Sequence, residues 1–175
     1  MDNSTEIDSV RLISPEKAYK DSYIDALYEF EEEEGRPLDP KIREMDFDFF
    51  LRKLKEEETL HTEIILPSFQ YWLVDGDKYI GRVNYRPILN DAFRFRGGNI
   101  GYNVRPTERG KGYATIMLKK SLEKAKADGL SSVLLTCDTD NIPSIKVIEK
   151  AGGVFQGTDT SDKGLPFNRY VISLW

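Results

Sequence analysis

Asn99-Ile100-Gly101-Tyr102-Asn103-Val104-Arg105-Pro106-Thr107-Glu108-Arg109-Gly110-Lys111-Gly112-Tyr113-Ala114 is the stretch that decides the fold. Its first six residues read as a strand, and a polar, glycine-rich bend follows. Ala114, Met117, Leu118, Leu122 and Ala125 then form the apolar stripe of a long helix, with Gly129 as its C-cap. Val133-Leu134-Leu135-Thr136-Cys137 reads as a buried strand. A strand, helix and strand in that order need a crossover connection, which predicts a parallel or mixed sheet and an α/β domain.

The same grammar extends in both directions. Towards the N-terminus, Tyr71 to Val83 reads as a hairpin around Asp75-Gly76-Asp77, and Pro87 to Gly98 as a loop. Before it, Phe47, Phe50, Leu51 and Leu54 predict a helix from about Asp46. Ser14-Pro15-Glu16-Lys17 reads as the start of an earlier helix carrying Tyr19, Tyr23, Leu27 and Phe30 and ending at Gly35, after a short strand at Val10-Ile13. Towards the C-terminus, Pro143 opens a short helix closed by Gly152-Gly153, and strands are expected at Val154-Phe155 and Tyr170-Leu174. The predicted order is β-α-α-β-β-β-α-β-α-β-β.

The chain has 175 residues, which suits one domain, here 9–175 behind a loose tail of residues 1–8. Hydrophobic residues make up 39 % and charged residues 31 %, so the chain as a whole is not of a disordered composition. A net charge of −5 argues against nucleic-acid and membrane-surface partners, which call for a basic face. One cysteine, Cys137, and one histidine, His61, exclude an internal disulfide and a Cys- or His-rich metal centre; no metal is expected. Apolar runs such as Ile64-Ile65-Leu66 are too short to span a bilayer, and the polar Met1 to Glu6 is unlike a secretory or transit peptide. A cytoplasmic location is the expectation.

The bend between strand and helix carries the chemistry. Gly110 and Gly112 permit unusual φ angles and let a ligand approach main-chain N–H groups. The helix that follows presents unpaired N–H groups and the positive end of its dipole, a ready phosphate site. Arg105, Arg109 and Lys111 add positive charge in an otherwise acidic chain. The bland alternative is a strand-to-helix turn with solvated basic residues. A P-loop is excluded because Arg105 stands five before Gly110 and Tyr113 follows Gly112. A dinucleotide fingerprint is excluded because Thr115 occupies the third small-residue position.

The stretch resembles the phosphate signature [Q/R]-x-x-G-x-[G/A] of the GNAT superfamily of acyl-CoA-dependent N-acyltransferases, through Arg109, Gly112 and Ala114, after a Val-x-Pro at Val104 and Pro106. A second landmark fits: Asn141, a small residue at Ser144, and a short helix ending in Gly152. The resemblance implies a mixed sheet of about six to seven strands flanked by about four helices, with two parallel central strands splayed to admit CoA. It implies that Val104 pairs with the pantetheine arm, that the N–H groups of Arg109, Gly110, Lys111, Gly112, Tyr113 and Ala114 hold the pyrophosphate, and that Asn141 and Ser144 touch the far side of the pantetheine. Acetyl-CoA is the implied co-substrate and a small-molecule or peptide amine the acceptor, with a homodimer left open. A backbone N–H, that of Val104, is expected to stabilise the oxyanion.

The chain departs from that pattern where protons move. The usual tyrosine, seven after the Asn, is Ile148, and a frequent glutamate, five before it, is Thr136. A non-catalytic acyl-CoA-binding or sensor module is therefore the alternative. Asp138 is a weak candidate for a catalytic role, against an Asp-rich turn capping the next helix. Tyr85, Tyr102 and Tyr113 are the tyrosines near the site, and the expectation is that none of them replaces the missing acid. Cys137 reads as a buried, inert thiol and His61 as a surface or packing residue. The cluster Glu29 and Glu31 to Glu34 reads either as a lure for a cationic acceptor or, preferably, as a solvated helix end.

Overall fold

Strands form where β-branched and aromatic residues alternate, and helices where apolar residues recur every three or four positions, in a computed structural model that describes residues 9–37, 39–60, 62 and 66–175. In chain order these are β1 (Val10–Ile13), α1 (Lys20–Glu33), α2 (Phe47–Glu57), β2 (Phe69–Asp75), β3 (Lys78–Tyr85), α3 (Asp91–Phe95), β4 (Ile100–Val104), α4 (Tyr113–Ala127), β5 (Ser132–Asp138), α5 (Ile142–Lys150), β6 (Val154–Thr160) and β7 (Pro166–Ser173). The predicted order holds, with α3 added inside the stretch read as a loop. Asn90 starts that helix by accepting a hydrogen bond from the Phe93 N–H at 3.0 Å. Asp46 caps α2 in the same way through Phe49. The first helix begins later than Ser14-Pro15 implies: Glu16 is extended, a 3-10 turn over Lys17–Tyr19 follows, and α1 starts at Lys20. His61, the run Ile64-Ile65 and residues 1–8 lie outside the described residues.

The seven strands divide into a four-stranded sheet, β1-β2-β3-β4, and a three-stranded sheet, β5-β7-β6, each paired antiparallel throughout. The division falls at the splay expected between the central strands β4 and β5. At its closed end, Asn99 stitches the two together: its N–H donates to Leu134 O at 2.8 Å, and its Oδ1 accepts from Leu134 N–H at 2.8 Å. A Cβ on the neighbouring Gly98, at φ +66, would run into the Leu134 carbonyl. Beyond that stitch β4 and β5 share no ladder.

Two cores fix which helices cover which face. Leu73, Val104, Met117, Leu135, Ile148 and Tyr170 belong to one, under α4 and α5. Tyr23, Phe47, Trp72 and Tyr79 belong to the other, under α1 and α2. Tyr23 lies nearly parallel to Trp72, ring centroids 4.7 Å apart, and meets Phe47 edge-on at 5.8 Å. Such ring pairs contribute about 0.5–1.5 kcal/mol each beyond the area they bury. Among the described residues no helix is long and apolar enough to cross a membrane.

Candidate functional site

The open side of the splay is a site because of the way an antiparallel ladder alternates. The Arg86 N–H bonds Asn99 O at 2.8 Å and the Arg105 N–H bonds Ile80 O at 2.9 Å. The register between these two bonds commits Gly101 and Asn103 to β3 as well, so Ile100, Tyr102 and Val104 turn their main-chain groups the other way, towards β5. An unpaired strand edge is thus presented to a cleft of about 520 Å³. Of the residues that the resemblance assigns to CoA, Val104, Arg109, Gly110, Gly112, Tyr113, Ala114, Asn141 and Ser144 border that cleft. Lys111 does not.

At the mouth, Gly110 (φ +79) and Gly112 (φ +86) are both in the left-handed region, and a Cβ on either would meet nothing within 4 Å. Gly112 is the N-cap of α4 and offers no capping side chain, so the first turn of a 15-residue helix opens directly on this space. N–H groups converging there, with the helix dipole behind them, suit an anionic group such as a pyrophosphate.

The basic residues of the bend are engaged elsewhere, which corrects the expectation that they lend their charge. Arg105 is buried and ion-paired to Glu29, with Nε 3.1 Å from Oε1. Arg109 pairs with Glu33, and its Nε also donates to the Val104 carbonyl at 3.1 Å. Lys111 Nζ is 2.8 Å from the carboxylate of buried Glu108, which Lys78 also holds. Burial pushes the Glu108 carboxyl up, but the hydrogen bonds from Lys111 and Lys78 outweigh it, and the group stays below the usual glutamate range. The acidic cluster is likewise engaged. Glu29 and Glu33 hold the bend, Glu31 and Glu34 pair with Arg36, and the cluster is not a bare lure for cations.

Deeper in, a second space of about 270 Å³ is bounded by Thr136, Cys137, Asp138 and Ile148, and shares Tyr102, Asn141 and Ser144 with the first. Asn141 Oδ1 accepts from Ser144 N–H at 3.1 Å, which caps α5. Tyr102 Oη lies 3.1 Å from Ser144 Oγ at the junction of the two spaces. Burial raises the Tyr102 pKa, so the hydroxyl keeps its proton at neutral pH. Tyr113 Oη donates to Asp75 at 3.2 Å, and Tyr85 borders neither space. Thr136 Oγ1 accepts from the Gly97 N–H at 2.9 Å, and Ile148 is buried. Asp138 is ion-paired to Arg96 at 2.7 Å. Cys137 is buried, its thiol pushed up to about 11 by burial and by Asp138. Of the three tyrosines that the sequence offered near the site, register brings Tyr102 to this junction; Asn103, which also borders the larger cleft, carried no sequence signature. Among the described residues no group of His, Cys, Asp and Glu is placed to hold a metal ion.

Residues 19–154 match the model of the acetyltransferase (GNAT) domain. The N-alpha-acetyltransferase 30 of Schizosaccharomyces pombe is 27 % identical over 86 residues, which are 49 % of this chain and 57 % of that protein. This chain thus spans little more than half the length of that relative. Two solved structures share the fold. The yncA protein of Salmonella typhimurium, solved with acetyl-CoA, is 14 % identical with a TM-score of 0.61, over 96 % of this chain and 95 % of that one. RimL, the ribosomal L7/L12 alpha-N-protein acetyltransferase solved with coenzyme A, is 13 % identical with a TM-score of 0.69, over 95 % of each chain.

Proposed function

Because the chain belongs to the GNAT acetyltransferase family, we propose that it moves an acetyl group from acetyl-CoA to an amine bound in the cleft between β4 and β5. The observation that carries this reading is the pairing of a free strand edge with a glycine-lined helix start in one cleft. The edge at Tyr102 and Val104 suits an amide-bearing pantetheine arm laid down as an added strand. The N–H groups from Gly110 to Ala114 suit the pyrophosphate, and the empty space beside Gly110 and Gly112 lets it approach. Asn141 and Ser144 form the opposite wall.

Acetyl-CoA supplies a thioester carbonyl at the inner end of the cleft. The Val104 carbonyl is already taken by Arg109, which leaves the Val104 N–H on the cleft side to stabilise charge developing on the thioester oxygen. One such donor contributes about 3 kcal/mol. As the amine nitrogen bonds to the carbonyl carbon and the carbon–sulfur bond breaks, the sulfur needs a proton. Ile148 has none to give, and Tyr102, protonated at the junction of the two spaces, supplies it in this account. Asp138 is the carboxylate bordering the smaller space among the described residues, and it receives the proton that the amine loses.

The test is acetyl-CoA binding by calorimetry, followed by release of free thiol with a panel of amines. Acceptor-dependent thiol release is expected. Binding with no release on any amine would establish the non-catalytic module instead, and absence of binding would overturn the cleft assignment.

A further inference from the structure

Resting on that reading, we propose that the acceptor is an amine carrying a carboxylate, as in a free α-amino acid, and that Arg82 and Asn103 recognise it. Trp72, Arg82 and Asn103 stand opposite one another on β2, β3 and β4, so their side chains share one face. Because Trp72 packs on Tyr23 of α1, that face lies under α1 and α2, across the sheet from α4.

Most polar groups on this face satisfy each other. Trp72 Nε1 donates to Gln70 Oε1 at 3.0 Å, and Gln70 Nε2 donates to Asn84 Oδ1 at 3.3 Å. Two do not. Arg82 is half-buried, and among the described residues its guanidinium forms neither a hydrogen bond nor an ion pair. By contrast Arg96, Arg105, Arg109 and Arg169 each hold a carboxylate. On the adjacent strand, Asn103 Oδ1 is buried with no donor among the described residues. A buried acceptor without a donor is unfavourable, and a ligand that supplies that donor while engaging the half-exposed Arg82 guanidinium relieves it.

The chemistry of the pair defines that ligand. A guanidinium fork matches a planar carboxylate, and an amide oxygen accepts from an N–H. Gly101, two residues before Asn103 on the same face, leaves room for the body of the acceptor, since a Cβ there would meet nothing within 4 Å. Gly101 also borders the inner space at Tyr102 and Asp138, so an amine held by Asn103 stands beside the proposed chemistry.

The experiment compares the common α-amino acids with their carboxamides and with the corresponding decarboxylated amines, using thiol release from acetyl-CoA. The wild-type chain is expected to prefer an acid over its amide by about tenfold or more in kcat/KM. Arg82→Gln should abolish that ratio, and Arg82→Lys should restore part of it. Gly101→Val, which occupies open space at a φ suited to any residue, should raise the KM for the acid while leaving acetyl-CoA affinity in place. Equal turnover of acids and amides, turnover confined to amines without a carboxylate, or a preference that survives Arg82→Gln would overturn the proposal while leaving acetyl transfer standing. Acetyl-CoA binding with no amine consumed would overturn both.

Discussion

Ile148 stands where the resemblance to the family implies a tyrosine, and its side chain belongs to the same buried core as Met117 and Leu135. The neighbouring hydroxyl that reaches the junction is Tyr102, one turn of α5 away through Ser144. We therefore expect Tyr102→Phe to lower kcat by about a hundredfold, the scale of a dedicated acid, with acetyl-CoA affinity kept. Tyr85→Phe, which borders neither space, should leave kcat within a few-fold. Equal, small losses for both would mean that the thiolate leaves unassisted, which is the expectation from sequence alone. Cys137 gives a second test at this scale. Its thiol is pushed up to about 11 from an ordinary 9.0, so at pH 8 it holds far less thiolate than a free cysteine. Alkylation by iodoacetamide should run on the order of a hundredfold slower than for glutathione, and faster labelling would place the thiol in a more polar setting than the one described.

Helix α1 and the bend before α4 behave as one unit, because Glu29 and Glu33 on α1 hold Arg105, Thr107 and Arg109. Burial pushes the Glu29 carboxyl up, but the hydrogen bonds from Arg105 and Thr107 bring it below its ordinary 4.5. A lowered folded-state pKa means stability that is fully present above about pH 4.5 and is lost as pH falls through the folded value. Glu29→Gln should destabilise the chain by about 1–3 kcal/mol at pH 7, and the gap to wild type should narrow in urea unfolding at pH 3. A gap that stays constant with pH would show that the carboxylate charge is not what holds α1. This unit was only half legible in the sequence. The glutamate run and the basic bend were both visible, yet their partnership depends on a separation of 76 residues that no local pattern encodes. Asn90-Asp91 likewise carried a cap signal for α3, but five residues are too few to show a helical period. By contrast, α2 and α4 were readable from apolar residues recurring at helical spacing, and α5 from Pro143 in its first turn and Gly152-Gly153 at its end.

Over the whole molecule, the strands divide into two sheets between β4 and β5, with one core under α4 and α5 and another under α1 and α2. The order of elements followed from hydrophobic period and the position of the bend from two glycines, whereas its proposed role in holding CoA rests on the resemblance carried by Arg109, Gly112 and Ala114. The direction in which Tyr102 and Val104 present their main chain, and the face shared by Arg82 and Asn103, followed only from register across three strands, which single-chain patterns do not fix. In the proposed function, the glycine-lined start of α4 receives the phosphates of acetyl-CoA. Gly112→Asp addresses it most directly: aspartate tolerates positive φ better than most residues, its Cβ would meet nothing within 4 Å, and its charge repels the anion. Titration calorimetry with acetyl-CoA on wild type and Gly112→Asp, with circular dichroism to verify the fold, is the measurement. Clear binding is expected for wild type and none detectable for a folded Gly112→Asp; equal affinity in the two folded proteins would show that the phosphates bind elsewhere.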